Sequence, residues 1–274
     1  MSDWVFDSLI CFLHSPVWNA ALNTFIEEKS LVFDPNIEID ISDPQYLEIH
    51  NEYKNLVDYM LGSFMEELNI TPEEFELACI EGKNLLTKND PSNDNGSFSF
   101  HKGLFQQIWA ANDMRTFVKL MVQRNIEIQL QALDLIERQR NSQDVDDIET
   151  QEREEIAEIE ESVKVEVNHQ EQEKQEDESL NRLNLFFEKE KVDKEDLNMR
   201  QAYLRQQRDK ILQLKKQVRA RQLDDTTMKE RPKSAKAAQK IIRGENIEPD
   251  EASIQLRKIL AKKLRDEVVD SSQN

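Results

Sequence analysis

Four histidines and two cysteines are the residues of this chain best suited to ligate a metal ion or to act as nucleophiles. The histidines are His14, His50, His101 and His169. None of them belongs to a set of closely spaced histidines and cysteines that could supply all the ligands of a zinc site. The chain also lacks a G-x-S-x-G motif, an H-E-x-x-H motif and a glycine-rich phosphate loop. The pattern therefore predicts no metal site and no nucleophilic catalytic site.

Adjacent carboxylates are the remaining candidates for chemistry. Glu73 and Glu74 lie in the stretch "TPEEF", but Thr71 and Glu74 have the spacing of a capping box, in which both side chains hold the first amides of a helix. The glutamates of 152–161 are interpreted as a solvated charged face rather than as a loose metal site. With no catalytic, cofactor-binding or metal residue predicted, we interpret the chain as a non-enzyme.

Composition favours a mostly helical protein, since only 5 of 274 residues are glycine and 33% are charged. The net charge of −19 is uneven, because residues 196–274 carry 19 basic against 12 acidic side chains. An acidic N-terminal two-thirds argues against nucleic acid as a partner. Free cysteines and the lack of a long apolar run predict an intracellular protein that is not inserted into a membrane.

Apolar spacing predicts an all-α fold in which six helices within residues 1–140 form one bundle. Ser15 is predicted to cap the second helix, "SDP" opens a third of about 24 residues, and "TPEEF" opens the fourth. Asn112 or Asp113 is predicted to cap the sixth helix. All three tryptophans and 10 of the 12 phenylalanines lie within this part of the chain.

The remainder divides by composition into four segments. Residues 141–195 are predicted to be an acidic low-complexity linker or a solvated helix. Residues 196–225 form a basic coiled-coil segment, because apolar residues recur there every seven positions. Residues 226–250 are predicted to be a linker, and 251–270 a C-terminal amphipathic helix. The recurring apolar residues are Leu197, Leu204, Ile211 and Val218.

The stretch 117–136, "FVKLMVQRNIEIQLQALDLI", has more apolar surface than a surface helix needs. One stripe on the helical wheel holds Phe117, Met121, Ile128, Ala132 and Leu135, and a second stripe beside it holds Val122, Ile126, Leu130 and Leu133. The third helix has a similarly broad apolar arc. Either both helices are packed on two sides, or a groove between them accepts an amphipathic helix from a partner.

Several stretches resemble a known family. "DWVFDSLICFLHSPVW", "YLEIHNEYKNLVDYMLGSFMEELNI", "FELAC" and "FVKLMVQRNIEIQLQALDLI" resemble the BART-like domain of a family of cilia- and flagella-associated coiled-coil proteins. The tail stretches "YLRQQRDKILQLKKQVRARQ" and "LAKKLRDEVV" resemble the coiled-coil segments of that family. The resemblance implies a six-helix bundle that binds Arf-like small GTPases in their GTP form. It also implies that a hydrophobic groove accepts the GTPase's N-terminal amphipathic helix.

Two functional hypotheses follow. The first is a non-enzymatic effector or adaptor in the cilium or flagellum and the cytoplasm, with an Arf-like GTPase as partner. The second is a structural axonemal coiled-coil protein whose basic tail binds microtubules or neighbouring coiled coils. For the first, the apolar surplus predicts that the partner-binding groove consists of Tyr53, Val57, Met60, Phe64, Phe105, Met114, Phe117 and Met121.

Overall fold

The structure is a computed structural model that describes residues 3–35, 40–71, 73–74, 106–141, 157, 159–163, 194–225 and 232–271. These residues form helices joined by turns, and no strand occurs among them, which confirms the predicted all-α class. The helices are α1 (Asp3–Leu13), α2 (Pro16–Lys29), a 3-10 turn (Ser30–Val32), α3 (Pro44–Leu68), α4 (Met114–Asn141), α5 (Lys194–Asp225), α6 (Lys233–Ile242) and α7 (Glu251–Ser271). A further helical stretch, 106–110, precedes α4.

Local side chains fix where the N-terminal helices begin. The Ser15 hydroxyl accepts a hydrogen bond from the amide three residues later, at 3.3 Å. Asp43 accepts from the amide two residues later at 2.8 Å, and Asp113 from the amide three residues later at 2.8 Å. Such bonds satisfy amides that have no partner within the helix. Asn69, in the left-handed region with φ of 51°, ends α3.

The predicted capping box is confirmed. Glu74 accepts a hydrogen bond from the Thr71 amide at 2.9 Å, and the Thr71 hydroxyl accepts one from the Glu74 amide at 3.2 Å. This reciprocal pair gives Glu74 a structural role. Most of the predicted fourth helix lies outside the described residues.

The chain forms two compact units, and each combines stretches that are far apart in sequence. The first unit comprises residues 1–25, 40–118 and 222–274, and the second comprises 26–39 and 119–221. The predicted linker 226–250 contains helix α6. Most of the acidic segment 141–195 lies outside the described residues, but Ile159 and Val163 within it are buried.

In the second unit, the predicted coiled-coil seam of α5 packs within the chain. Leu204 and Ile211 belong to one apolar cluster with four buried residues of α4, and Val218 is buried as well. The α4 residues are Ala132, Leu133, Leu135 and Ile136. The heptad pattern therefore identified a buried face correctly, while its observed partner is α4 of the same chain.

Glu27, at the end of α2, is the centre of a buried ionic cluster in the second unit. Its side chain is 2% exposed, and Arg219 binds both carboxylate oxygens, at 2.6 and 3.0 Å. Lys215 lies 3.3 Å away and Arg124 3.9 Å. Burial raises the pKa of Glu27, but these three cations lower it more, to about 2 against an ordinary value of 4.5.

Stability should therefore depend on the charge of Glu27 at low pH. Because the folded pKa lies below the unfolded one, the stabilisation is complete above pH 4.5 and is lost as the pH falls towards 2. The difference corresponds to about 3 kcal/mol. Denaturant unfolding measured from pH 7 to pH 2 should show this loss in the free energy of unfolding of the wild-type protein. The Glu27→Gln variant should not show it. The matched control is Glu28→Gln, whose side chain is 45% exposed beside Lys216. An equal pH slope in all three proteins would contradict the assignment.

Candidate helix-binding surface

Helix α3 is buried on two opposite sides, both within the first unit. At about 100° per residue, one side holds mainly large apolar residues, and we name it the core face. The core face consists of Ile49, Tyr53, Leu56, Val57, Met60 and Phe64. The opposite side combines apolar residues with a carboxylate and a glycine, and we name it the docking face. The docking face consists of Asp58, Leu61, Gly62 and Met65.

Tyr53 links the core face to the neighbouring helices. Its ring lies 5.1 Å from the ring of Phe117 and 5.8 Å from that of Phe25, in tilted arrangements. Its hydroxyl donates a hydrogen bond to the Gln107 carbonyl at 3.0 Å. Burial raises the pKa of the Tyr53 phenol, so this group stays protonated and keeps its role as a donor.

Phe64 anchors the other end of the core face. Its ring stacks on Phe12 with centroids 4.6 Å apart, and Phe12 meets Trp18 edge to face at 5.5 Å. The Trp18 indole donates to the Gln107 side chain at 2.7 Å, so the polar group of this ring is satisfied too. The core face is thus buried beneath aromatic contacts.

The predicted groove residues are distributed unevenly. Tyr53, Val57, Met60, Phe64 and Phe117 lie in the interior of the first unit, and Met60 is 0% exposed. The structure brings Tyr53 and Phe117 together, as expected for neighbours in a groove, but solvent does not reach them in the free protein. Their contact with a guest helix stays a prediction.

The other three predicted residues differ from this group. Met114, in the first turn of α4, is half-buried. Met121 is buried, but it belongs to the second unit. Phe105 lies outside the described residues.

The docking face is occupied by α7. Arg257 holds both carboxylate oxygens of Asp58: Nε donates at 2.6 Å and Nη2 at 3.2 Å. Its remaining nitrogen donates to the side chain of Asn112 at 2.5 Å. Asp58 is 1% exposed and Arg257 7%. Burial raises the pKa of Asp58, and Arg257 acts against this increase by hydrogen bonding to the charged form.

Gly62 allows α7 to approach α3 closely. A Cβ atom at this position would overlap the hydroxyl of Ser253, so the contact requires glycine. Ser253, Leu256, Arg257 and Leu260 are buried and lie on one face of α7, at spacings of three and four. The docking face therefore accepts a helix that presents a small residue, a leucine, an arginine and a second leucine in that order.

Helix α6 also packs on α3. The Ser234 amide and hydroxyl both donate to Glu67 of α3, at 3.2 and 2.6 Å, and Lys233 pairs with Glu66 at 3.2 Å. The residue before the helix, Pro232, provides no side-chain cap. Glu67 thus supplies from α3 the cap that the α6 sequence lacks.

His50 has a structural role in α3. Its Nε2 donates to the Ala110 carbonyl at 2.8 Å, and its ring lies 4.8 Å from Phe117. Burial lowers the pKa of His50, which favours the neutral imidazole. In the described part of the chain, no three His, Cys, Asp or Glu residues cluster in a way that could hold a metal ion. No helix within the same residues is long and apolar enough to cross a bilayer.

Sequence reasoning singled out the apolar residues of α3 and missed the docking face. One signal was available, because Gly62 is a glycine in the interior of a long helix. Glycine costs about 1 kcal/mol there relative to alanine, so its presence indicates a close packing contact. Asp58, one turn before Gly62, is a charged residue within an apolar arc and lies on the same side of the helix as Gly62.

Both faces of α3 lie within residues 1–130, which also have a match among known families. Residues 1–130 match one family model. The family is described as the ARF-like 2 binding protein BART. This match confirms, for these residues, the resemblance inferred from the sequence. The family is named for binding another protein, in agreement with the interpretation as a non-enzyme.

A similar relative is the cilia- and flagella-associated protein 36 of Caenorhabditis elegans. It is 35% identical over 127 residues. The aligned part makes up 46% of this chain but only 16% of that protein. The two proteins are therefore similar over one part of each, and α6 and α7 follow the residues that match the family model.

Truncating Phe117 should test the core face. Phe117→Ala removes a wholly buried ring that contacts Tyr53 and His50, so we expect a loss of about 3–5 kcal/mol in the free energy of unfolding. The control is Trp4→Ala, which removes a larger ring that is 50% exposed and should cost less than about 1 kcal/mol. Denaturant unfolding measures both. Similar losses would mean that the aromatic contacts do not stabilise the unit.

Proposed function

We propose that this protein is a non-enzymatic effector or adaptor of the cilium or flagellum and the cytoplasm. Its partner is an Arf-like small GTPase in the GTP state. The match of residues 1–130 to a family named for binding an ARF-like protein carries this proposal. The relative named for cilia and flagella supports the location.

The proposed mode of binding is helix on helix, in which the GTPase presents its N-terminal amphipathic helix to α3. The docking face already binds helix α7, so its shape and polarity are suitable for a helix. Fully burying one leucine-sized side chain is worth roughly 1.5–3 kcal/mol. Three or four such residues on a guest helix are then enough for micromolar affinity after the cost of association.

The predicted groove residues enter this proposal indirectly. Met60 and Phe64 on the core face hold α3 in position against its neighbours. A guest helix contacts them only where the helices around α3 move apart. Their substitution therefore acts through stability as well as through binding.

The alternative is a structural axonemal coiled-coil protein whose basic tail binds microtubules or neighbouring coiled coils. Pairing with a neighbouring coiled coil needs an exposed apolar seam on α5. Leu204, Ile211 and Val218 are instead buried within the chain, and Lys215 and Arg219 pair with Glu27. These contacts favour the effector over the alternative.

Binding should depend on the nucleotide and on the guest helix. Titration calorimetry of the full chain with an Arf-like GTPase should give micromolar or tighter affinity in the presence of a GTP analogue and weaker affinity with GDP. Deleting the N-terminal helix of the GTPase should weaken binding at least about tenfold, or about 1.4 kcal/mol. The control is a GTPase with a polar residue changed outside that helix. Equal affinity with and without the helix would contradict this mode of binding.

A further inference from the structure

The acidic helix α3 is covered by helices that carry basic residues and lie outside the family match. Helix α3 has five acidic residues and one lysine. Helices α6 and α7 begin about a hundred residues after position 130, yet both pack on α3 within the first unit. The candidate surface for a partner is thus occupied, in the free protein, by a segment of the same chain.

The contact between α7 and α3 is specific in both charge and shape. Asp58 is buried, and an isolated buried carboxylate is strongly unfavourable, so its two hydrogen bonds from Arg257 fix where that side chain must lie. Gly62, one turn further, fixes the position of Ser253. Two independent contacts therefore set the register of α7 on α3.

The contact also has features of one that can be released. Lys233 and Glu66, the ion pair at the start of α6, are both more than half exposed, and such pairs contribute little. Most of the remaining buried residues of α6 are alanines, which bury little apolar surface. Apart from the hydrogen bonds of Ser234 to Glu67, the contacts of α6 with α3 are therefore weak, and the buried ion pair is made by Arg257 of α7.

We propose that α7 is an intramolecular occupant of the docking face, and that a partner helix with the same pattern binds α3 by displacing it. The pattern is a small residue followed by leucine, arginine and leucine at positions three, four and seven after it. The identity of the partner rests on the proposed function, but the occupation of the docking face does not. The free protein is then self-inhibited, because only molecules with α7 released bind a partner.

The first experiment measures release and binding in the full chain. Arg257→Glu places a carboxylate opposite Asp58, and Ser253→Leu places a large side chain against Gly62. Both changes lie on α7 and leave α3 unchanged. The matched control is Lys258→Glu, the same change of charge at the next residue, which is exposed. Circular dichroism melting confirms that each variant is folded.

Hydrogen exchange reports whether α7 is docked, since amides of an undocked helix exchange faster. We expect faster exchange in α7 for Arg257→Glu and Ser253→Leu and no change for Lys258→Glu. If α7 is docked in about nine molecules of ten, release should strengthen binding of the GTP-loaded GTPase about tenfold. If α7 of the two variants exchanges faster but their affinity for the GTPase equals that of the wild-type protein, self-inhibition is overturned. The proposed function would still stand in that case, because the wild-type protein binds the GTPase. Unchanged exchange in both variants would overturn the assigned contacts.

A second probe separates the docking face from the identity of the partner. A synthetic peptide of residues 248–271 should bind the full-length Arg257→Glu protein more tightly than the wild-type protein. The same peptide with Arg257→Glu should bind neither. If the wild-type peptide binds and no GTPase does, the docking face stands and the proposed function fails. If the wild-type peptide fails to bind a variant whose α7 is released, the docking face is wrong.

Discussion

The pair formed by Asp58 and Arg257 is the interaction on which the arrangement of the first unit depends. A carboxylate that is 1% exposed is tolerable only with a charged donor beside it, and Arg257 donates two hydrogen bonds to it. Since Arg257 also donates to Asn112, the guanidinium joins α7 to both α3 and the turn before α4. One side chain thus holds α7 to two other parts of the first unit. Removing either partner would leave the other charge buried and unpaired.

A comparable interaction is found in the second unit. Glu27 of α2 is buried, and Arg219 of α5 binds both of its oxygens, just as Arg257 binds Asp58. In each case the acid comes from the N-terminal part of the chain and the base from the C-terminal part. The sequence has the same asymmetry, because residues 196–274 carry 19 basic against 12 acidic side chains. In the described residues, some of these basic side chains pair with buried acids of the same chain.

The features that could be predicted from the sequence are those that depend on residues close to one another along the chain. Ser15, Asp113 and the pair of Thr71 with Glu74 act within one helical turn, so their roles could be inferred from spacing. The burial of Leu204 and Ile211 also followed from periodicity. Periodicity indicates which face is buried without identifying its partner, and here the partner was α4 of the same chain.

What escaped prediction depends on residues far apart in sequence. Arg257 and Asp58 are separated by 199 positions, and neither residue type is unusual in its own helix. Met60 illustrates a second limit, since a broad apolar arc is compatible with a groove wall and with a closed core. The difference lies in the neighbouring elements that cover the arc, as Phe12 of α1 covers Phe64 of α3. A wheel drawn for one helix contains no information on these neighbours.

Helix α6 has a property that follows from its borrowed cap. It has only ten residues, and isolated helices shorter than about 12–15 residues are marginal in water. Its first turn is completed by Glu67 of α3, so α6 retains this cap only while it is docked. On undocking, α6 would therefore unfold rather than move as a rigid helix. The backbone entropy recovered by the melted residues would offset part of the lost contacts, which makes departure of the C-terminal helices easier as temperature rises.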